Sequence, residues 1–171
     1  SSVAIGQNSY ARSGSVMIGD HKYIGKLGDV EVDGSDVQKV KSRNVNINAT
    51  IVGANSYNQG AFSSVTGTYS IISGKYNGSN WSSYAGQNFG ATITGSLNSI
   101  ESATSSSVYS GVANSIVGTA NRTANSNGSL IFGAGNEITN SISSISAPST
   151  GGDSAQALQK SLMTAVKNSN S

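Results

Sequence analysis

One short unit returns along this chain and constrains its fold more than any other feature: an apolar or β-branched triplet ending in Gly, with an Asn a few residues further on. It stands at Val3-Ala4-Ile5-Gly6 with Asn8, Thr50-Ile51-Val52-Gly53 with Asn55, Ile71-Ile72-Ser73-Gly74 with Asn77, and Thr92-Ile93-Thr94-Gly95 with Asn98. Further copies are Val108-Tyr109-Ser110-Gly111 with Asn114, Ser115-Ile116-Val117-Gly118 with Asn121, and Leu130-Ile131-Phe132-Gly133 with Asn136. Such self-similarity marks architectures in which each unit is completed by its neighbours.

The spacing fixes the size of the unit. Gly53, Gly60, Gly67 and Gly74 are seven apart, as are Gly111 and Gly118, and Gly6 precedes Gly19 by thirteen. A coil of about fourteen residues, with two short strands and two tight turns, fits this series. Strands this short do not persist alone, but stacking pairs each with its equivalent in the next coil, which predicts an all-β solenoid. Gly supplies the turn positions that need positive φ, and Asn is the next most tolerant residue there. Stacked Asn side chains can also form ladders.

Composition sets disorder as the reading to beat. Ser, Asn and Gly contribute 34, 18 and 21 of the 171 residues, and only 36% of the chain is hydrophobic and 11% charged. The apolar residues before Ile145 are nevertheless mostly Ile and Val, with three Leu, a bias toward pleated sheet. A net charge of +2 gives no footprint for a nucleic-acid partner. No apolar run is long enough for a membrane span, and no signal peptide is present, so no membrane contact is expected within this fragment. The chain starts inside a repeat and reads as an excised, mature fragment. Cys is absent, which leaves no disulfide or thiolate metal site.

Three regions depart from the repeat. Residues 20–48 hold a charged insertion: Asp20 to Arg43 carries ten of the eighteen charged residues, plus His21. The alternation Asp29-Val30-Glu31-Val32-Asp33 followed by Gly34 predicts a hairpin there. Residues 141–152 form a Ser-rich linker ending in Pro148 and Gly151-Gly152. From 153 to 171 the signal turns helical: Asp153 with Gln156 resembles a capping box, and Ala155, Leu158, Leu162 and Ala165 follow at spacings of three, four and three. This a/d seam of about two heptads reads either as an amphipathic helix on the end of the coils or as the start of a coiled coil with trimer contacts.

Ser2-Val3-Ala4-Ile5-Gly6-Gln7-Asn8-Ser9, with Ala11 and Gly14, followed by Ser15-Val16-Met17-Ile18-Gly19, resembles the head repeat of trimeric autotransporter adhesins, the YadA-like head. The first copy carries that family's Ser-Val-Ala-Ile-Gly core residue for residue, and the second differs at Met17. The resemblance is strong over residues 1–19 and degenerate from 49 to 140, and the family's neck motif is missing before the terminal helix. It implies a left-handed parallel β-roll over residues 1–140, a homotrimer of chains side by side, and a trimeric coiled coil below the head. It also implies outer-membrane anchoring on a Gram-negative bacterium, through a C-terminal part beyond this chain, and adhesion to host molecules. The implied partners are collagen, fibronectin or laminin, or a host cell-surface receptor of the CEACAM type.

Within the repeats, the apolar position drifts. The first two copies place apolar residues one and three before the Gly, whereas Ser64-Val65-Thr66-Gly67 and Thr92-Ile93-Thr94-Gly95 place one two before it. In a strand that shift moves the apolar side chain to the opposite face, so the later coils are expected to depart from the standard head coil. A stack this poor in large apolar side chains buries little surface per residue, and association of chains would supply the missing burial.

Seven of the eleven aromatics fall between Tyr57 and Phe89: Tyr57, Phe62, Tyr69, Tyr76, Trp81, Tyr84 and Phe89. Phe62, Tyr69 and Tyr76 are seven apart, so a fourteen-residue coil would set Phe62 and Tyr76 in equivalent positions one layer apart. These residues read either as a stack inside the roll or at a chain contact, or as a ligand-binding surface of the kind found at interface hot spots, with Trp81 the best candidate for exposure. The charged insertion reads as a solvated loop or as a contact loop. The sequons at Asn48, Asn77, Asn80, Asn121 and Asn127 are what a chain rich in Asn and Ser produces by chance. His21 beside Asp20 has no second ligand at metal-binding spacing. No catalytic constellation is visible, and no cofactor is expected. An adhesin head is the leading reading. A structural spacer of a surface fibre and a β-helix acyltransferase are the alternatives, the latter requiring six-residue periodicity and a coil His that this chain does not offer.

Overall fold

Each stretch of alternating side chains that ends in a stacked Gly forms one strand of a parallel sheet. In the computed structural model, which describes residues 1–21, 24–27, 30–33, 48–74, 86–102, 109–141, 145 and 154–169, sheet 1 has seven strands. They are β1 (Val3–Ile5), β2 (Val16–Ile18), β5 (Thr50–Val52), β7 (Ser64–Thr66), β9 (Thr92–Ser96), β11 (Ser115–Thr119) and β13 (Leu130–Ala134), paired in that order. Sheet 2 has five, in the order β6 (Tyr57–Asn58), β8 (Ile71–Gly74), β10 (Ser99–Ser102), β12 (Arg122–Ala124) and β14 (Glu137–Thr139). The triplet at Ile71 therefore belongs to sheet 2, and Tyr109-Ser110-Gly111 is not a strand.

A column of glycines locks the stack. Gly53 and Gly67 follow β5 and β7 with φ of 145° and 142°, where only Gly is comfortable, and a Cβ on Gly53 would lie 1.6 Å from the Gly67 carbonyl oxygen. Three residues on, a polar column takes up these carbonyls. Ser56 Oγ donates to the Gly67 carbonyl at 3.1 Å, Asn98 Nδ2 to Gly118 at 2.8 Å and Asn121 Nδ2 to Gly133 at 2.7 Å. The amides also join each other: the Asn121 backbone N–H and Nδ2 donate to Asn98 Oδ1, and those of Asn136 donate to Asn121 Oδ1. A buried amide is costly unless its groups are paired, and the ladder pairs them.

The core lies between the two sheets. Met17, Ile51, Val65, Ile93, Ile116 and Ile131 from sheet 1 meet Ile72 and Ile100 from sheet 2. Each sheet 1 residue stands two before its Gly, and the register runs without a slip from Val3 through Val16, Thr50, Ser64, Thr92 and Ser115 to Leu130. The expected change of face in the later copies does not occur. Instead the first copies carry extra apolar residues on the outside.

Equivalent sheet 1 positions are separated by 13, 34, 14, 28, 23 and 15 residues. The excess length in the second, fourth and fifth repeats enters on the return path toward sheet 1: pairing holds at His21, Gly74 and Ser102 and resumes at Asn48, Asn88 and Gly111. Insertion there disturbs neither the Gly column nor sheet 1. The insertion after His21 contains an antiparallel hairpin of β3 (Ile24–Leu27) and β4 (Val30–Asp33), so the alternating stretch pairs with the strand before it, while Gly34 lies outside the described residues.

The helix α1 (Ala155–Ser169) is capped by Ser154, whose Oγ accepts from the Ala157 N–H at 3.2 Å, in place of the expected Asp153, which lies outside the described residues. Its stripe of Leu158, Leu162, Ala165 and Val166 packs on a corner of the same chain built from Ala61, Phe62, Phe89, Val112, Ala113 and Ile145. Three of the four residues expected at trimer contacts thus find an intrachain partner, and Ala155 is exposed.

Candidate functional site

Alternation along the sheet 1 strands sends the residues one and three before each Gly outward. In the first three layers these include the exposed Val3, Ile5, Ile18 and Val52. In the last two layers they include Val117, Leu130 and Phe132, the latter two 70% and 83% exposed. Between them lies a band of hydroxyls from Ser64, Thr66, Thr92, Thr94 and Ser115, in which Thr92 Oγ1 donates to Ser115 Oγ at 3.0 Å. The face is therefore apolar at both ends and polar in the middle. Among the described residues, nothing in the chain packs over the apolar ends enough to bury them.

The aromatic candidates do not form one surface. Tyr57 is 1% exposed and stands edge-on to the His21 ring, with centroids 5.7 Å apart. Phe89 is 2% exposed and tilts against Phe62 at 5.3 Å beneath α1. Burial leaves Tyr57 and Phe89 no surface to present to a ligand. Tyr69 is exposed, in the turn that leaves sheet 1, while Phe62 sits in the turn that enters it. Seven residues span half a layer, so that spacing separates Phe62 and Tyr69 instead of stacking them. The register equivalent of Phe62 one layer on is Gly90, not Tyr76, because the fourth repeat is 28 residues long. Tyr76, Trp81 and Tyr84 lie outside the described residues. Phe62 and Tyr69 adopt left-handed backbone with φ of 52° and 49°, where bulky residues carry roughly 1–2 kcal/mol of strain.

Two polar features escape a reading of residue types alone. Glu101, buried on the outer side of sheet 2, accepts from Arg122 Nε at 2.7 Å, Arg122 Nη2 at 3.2 Å and Ser99 Oγ at 2.7 Å. Arg122 also reaches Glu137 at 3.3 Å. Arg122 and Glu137 each follow a ladder Asn, at Asn121 and Asn136, so their opposite charges occupy equal repeat positions and could have been paired from the sequence. The second feature is His21, fully buried at the root of the charged insertion, with neither ring nitrogen in a well-formed hydrogen bond among the described residues. Burial holds its pKa below the ordinary value, against the opposing pull of the Gly19 and Ser56 backbone and the Asp20 carboxylate.

Among the described residues, no group of three His, Asp or Glu is placed to hold a metal ion, and no helix is long and apolar enough to cross a membrane. What the geometry offers is surface: a parallel sheet whose outer apolar side chains lose water favourably when covered, at roughly 1.5–3 kcal/mol for a fully buried Leu or Phe. Comparison with protein-family profiles, with curated proteins and with solved structures finds no match for this chain.

Proposed function

We propose that this chain is the head of a bacterial surface adhesin: a left-handed β-roll solenoid that assembles as a homotrimer through the outer face of sheet 1 and attaches its cell to host surfaces. The observation that carries the reading is that face, with Val3, Ile5, Ile18, Val52, Val117, Leu130 and Phe132 exposed on it. Parallel sheets occur almost always with both faces covered, and among the described residues sheet 1 is covered within the chain on one face only. A second and third copy presenting the same face would bury the apolar ends against each other and leave sheet 2 and the return corner outward.

Those outward flanks would carry the ligand. Three copies of a weak site, held rigidly, bind a cell surface with an avidity that none has alone. The partner class is a host surface glycoprotein of the CEACAM type or an extracellular matrix protein, with Tyr69 and the segment containing Tyr76, Trp81 and Tyr84 the first places to search. The site of action is the surface of a Gram-negative cell, and the mode is binding without catalysis.

The test is a pull-down of the folded assembly on intact host cells, with an Ile18→Asp, Phe132→Asp variant alongside. The adhesin reading predicts retention of the assembly and much weaker retention of the variant, which loses avidity. Absence of binding by the assembled protein to any host cell or matrix preparation would sink it.

A further inference from the structure

The stripe on α1 has two candidate partners and can serve only one at a time. Leu158, Leu162 and Ala165 lie at the three- and four-residue spacings of an a/d seam, and the same residues fill the corner beside Phe62, Phe89, Val112 and Ala113. The corner lies directly against them: Leu162 Cδ2 is 3.4 Å from where a Cβ on Gly90 would stand, an ordinary van der Waals distance. Yet the grip is shallow, because no residue of α1 is fully buried. A seam of about two heptads is likewise short of the three or four that sustain a coiled coil unaided. Two weak alternatives for one stripe make an exchangeable element.

We propose that α1 is a strap that docks on its own corner in the single chain and is released when the helices of three copies meet, so that corner docking opposes the three-helix seam. The proposal rests on the trimer reading above and adds a control to it. The exchange leaves the sheets intact, since Ser141 and the buried Ile145 still anchor the chain beyond β14. The eight residues from 146 to 153 then give α1 a reach of roughly 27 Å when extended. Release of the strap would also uncover Phe62 and Phe89, whose rings tilt against each other at 5.3 Å.

The experiment uses the full chain, which contains no Cys, so a disulfide from Leu162→Cys can only join two copies. Ala113→Asp puts a charge under α1 at a left-handed position, φ 55°, that Asp tolerates, and Ala113→Asn is the milder version. Hydrogen exchange reports docking of residues 155–169, light scattering reports association, and oxidation of the thiol at position 162 reports the seam. The expected result is faster exchange of α1, association at about tenfold lower concentration and a matching rise in interchain disulfide. Release of α1 with association unchanged or weakened overturns the strap, as does Ala113→Asp leaving α1 docked. A trimer whose α1 stays protected and whose thiols stay unjoined contradicts the strap alone. A chain that remains monomeric in every variant, with α1 free, contradicts the trimer reading and removes the strap's second partner with it.

Discussion

The outer faces of the two sheets are built in opposite ways. On sheet 1 the outward side chains at both ends are apolar and exposed, whereas on sheet 2 the outward Ser99 and Glu101 are polar and buried, next to buried Tyr57 and Ile71. Sheet 2 satisfies its outer face within the chain, through the Glu101–Arg122 pair. Among the described residues, nothing does the same for the apolar ends of sheet 1. The same asymmetry appears in tolerance to insertion: the Gly column beside sheet 1 keeps its register through seven strands, while all the extra length enters on the return path. One side of the molecule is held fixed by backbone contact and left apolar outside, and the other is free to vary.

The contrast can be broken most severely at the column. Gly67→Ala would put a Cβ 1.7 Å from the Gly95 carbonyl oxygen at a φ of 142°, and a loss of more than about 4 kcal/mol is expected in denaturant unfolding. On sheet 2, Glu101→Ala takes from Arg122 its buried carboxylate and leaves the exposed Glu137 in place, at an expected cost of about 3 kcal/mol. Glu137→Ala should cost under about 1 kcal/mol by the same measurement, since that carboxylate is exposed.

Acid offers a smaller and reversible probe. His21 is held neutral in the folded chain, with a pKa below its ordinary 6.5, so below that pH the unfolded chain takes up a proton that the folded one does not. The His21 contribution is therefore constant above pH 6.5 and is lost as pH falls from there toward the lowered folded pKa. His21→Phe should flatten this segment of the stability curve; an unchanged slope would show that the imidazole does not govern it. The smallest effect is expected at Phe132→Ser, within about 0.5 kcal/mol for the fold of one chain. A large loss there, in thermal unfolding of the monomer, would show that the outer face of sheet 1 has a partner inside the chain.

Parallel strands, Gly turns, the Asn ladder and the terminal helix were legible because each rests on backbone geometry that few residues can meet. The inward face was not legible in the first copies. Val3-Ala4-Ile5 and Val16-Met17-Ile18 are apolar at every position, so they fit either face, and only copies such as Ser64-Val65-Thr66 and Thr92-Ile93-Thr94 specify one. Equal spacing of Phe62, Tyr69 and Tyr76 suggested a stack, but a layer contains two turns, and an insertion after Gly74 breaks the count. The helix stripe was readable as a stripe, yet spacing does not say what it packs against. His21 looked like a loop residue because its burial depends on Tyr57, which only the stacking brings near.

The central claim, that the outer face of sheet 1 meets copies of itself, is tested most directly by the solution mass of the intact chain across a range of concentrations, with the Ile18→Asp, Phe132→Asp variant beside it. The account predicts three times the 17.3 kDa of one chain for the natural sequence and a shift to one-chain mass for the variant. A natural chain that stays at 17.3 kDa at every concentration would contradict it.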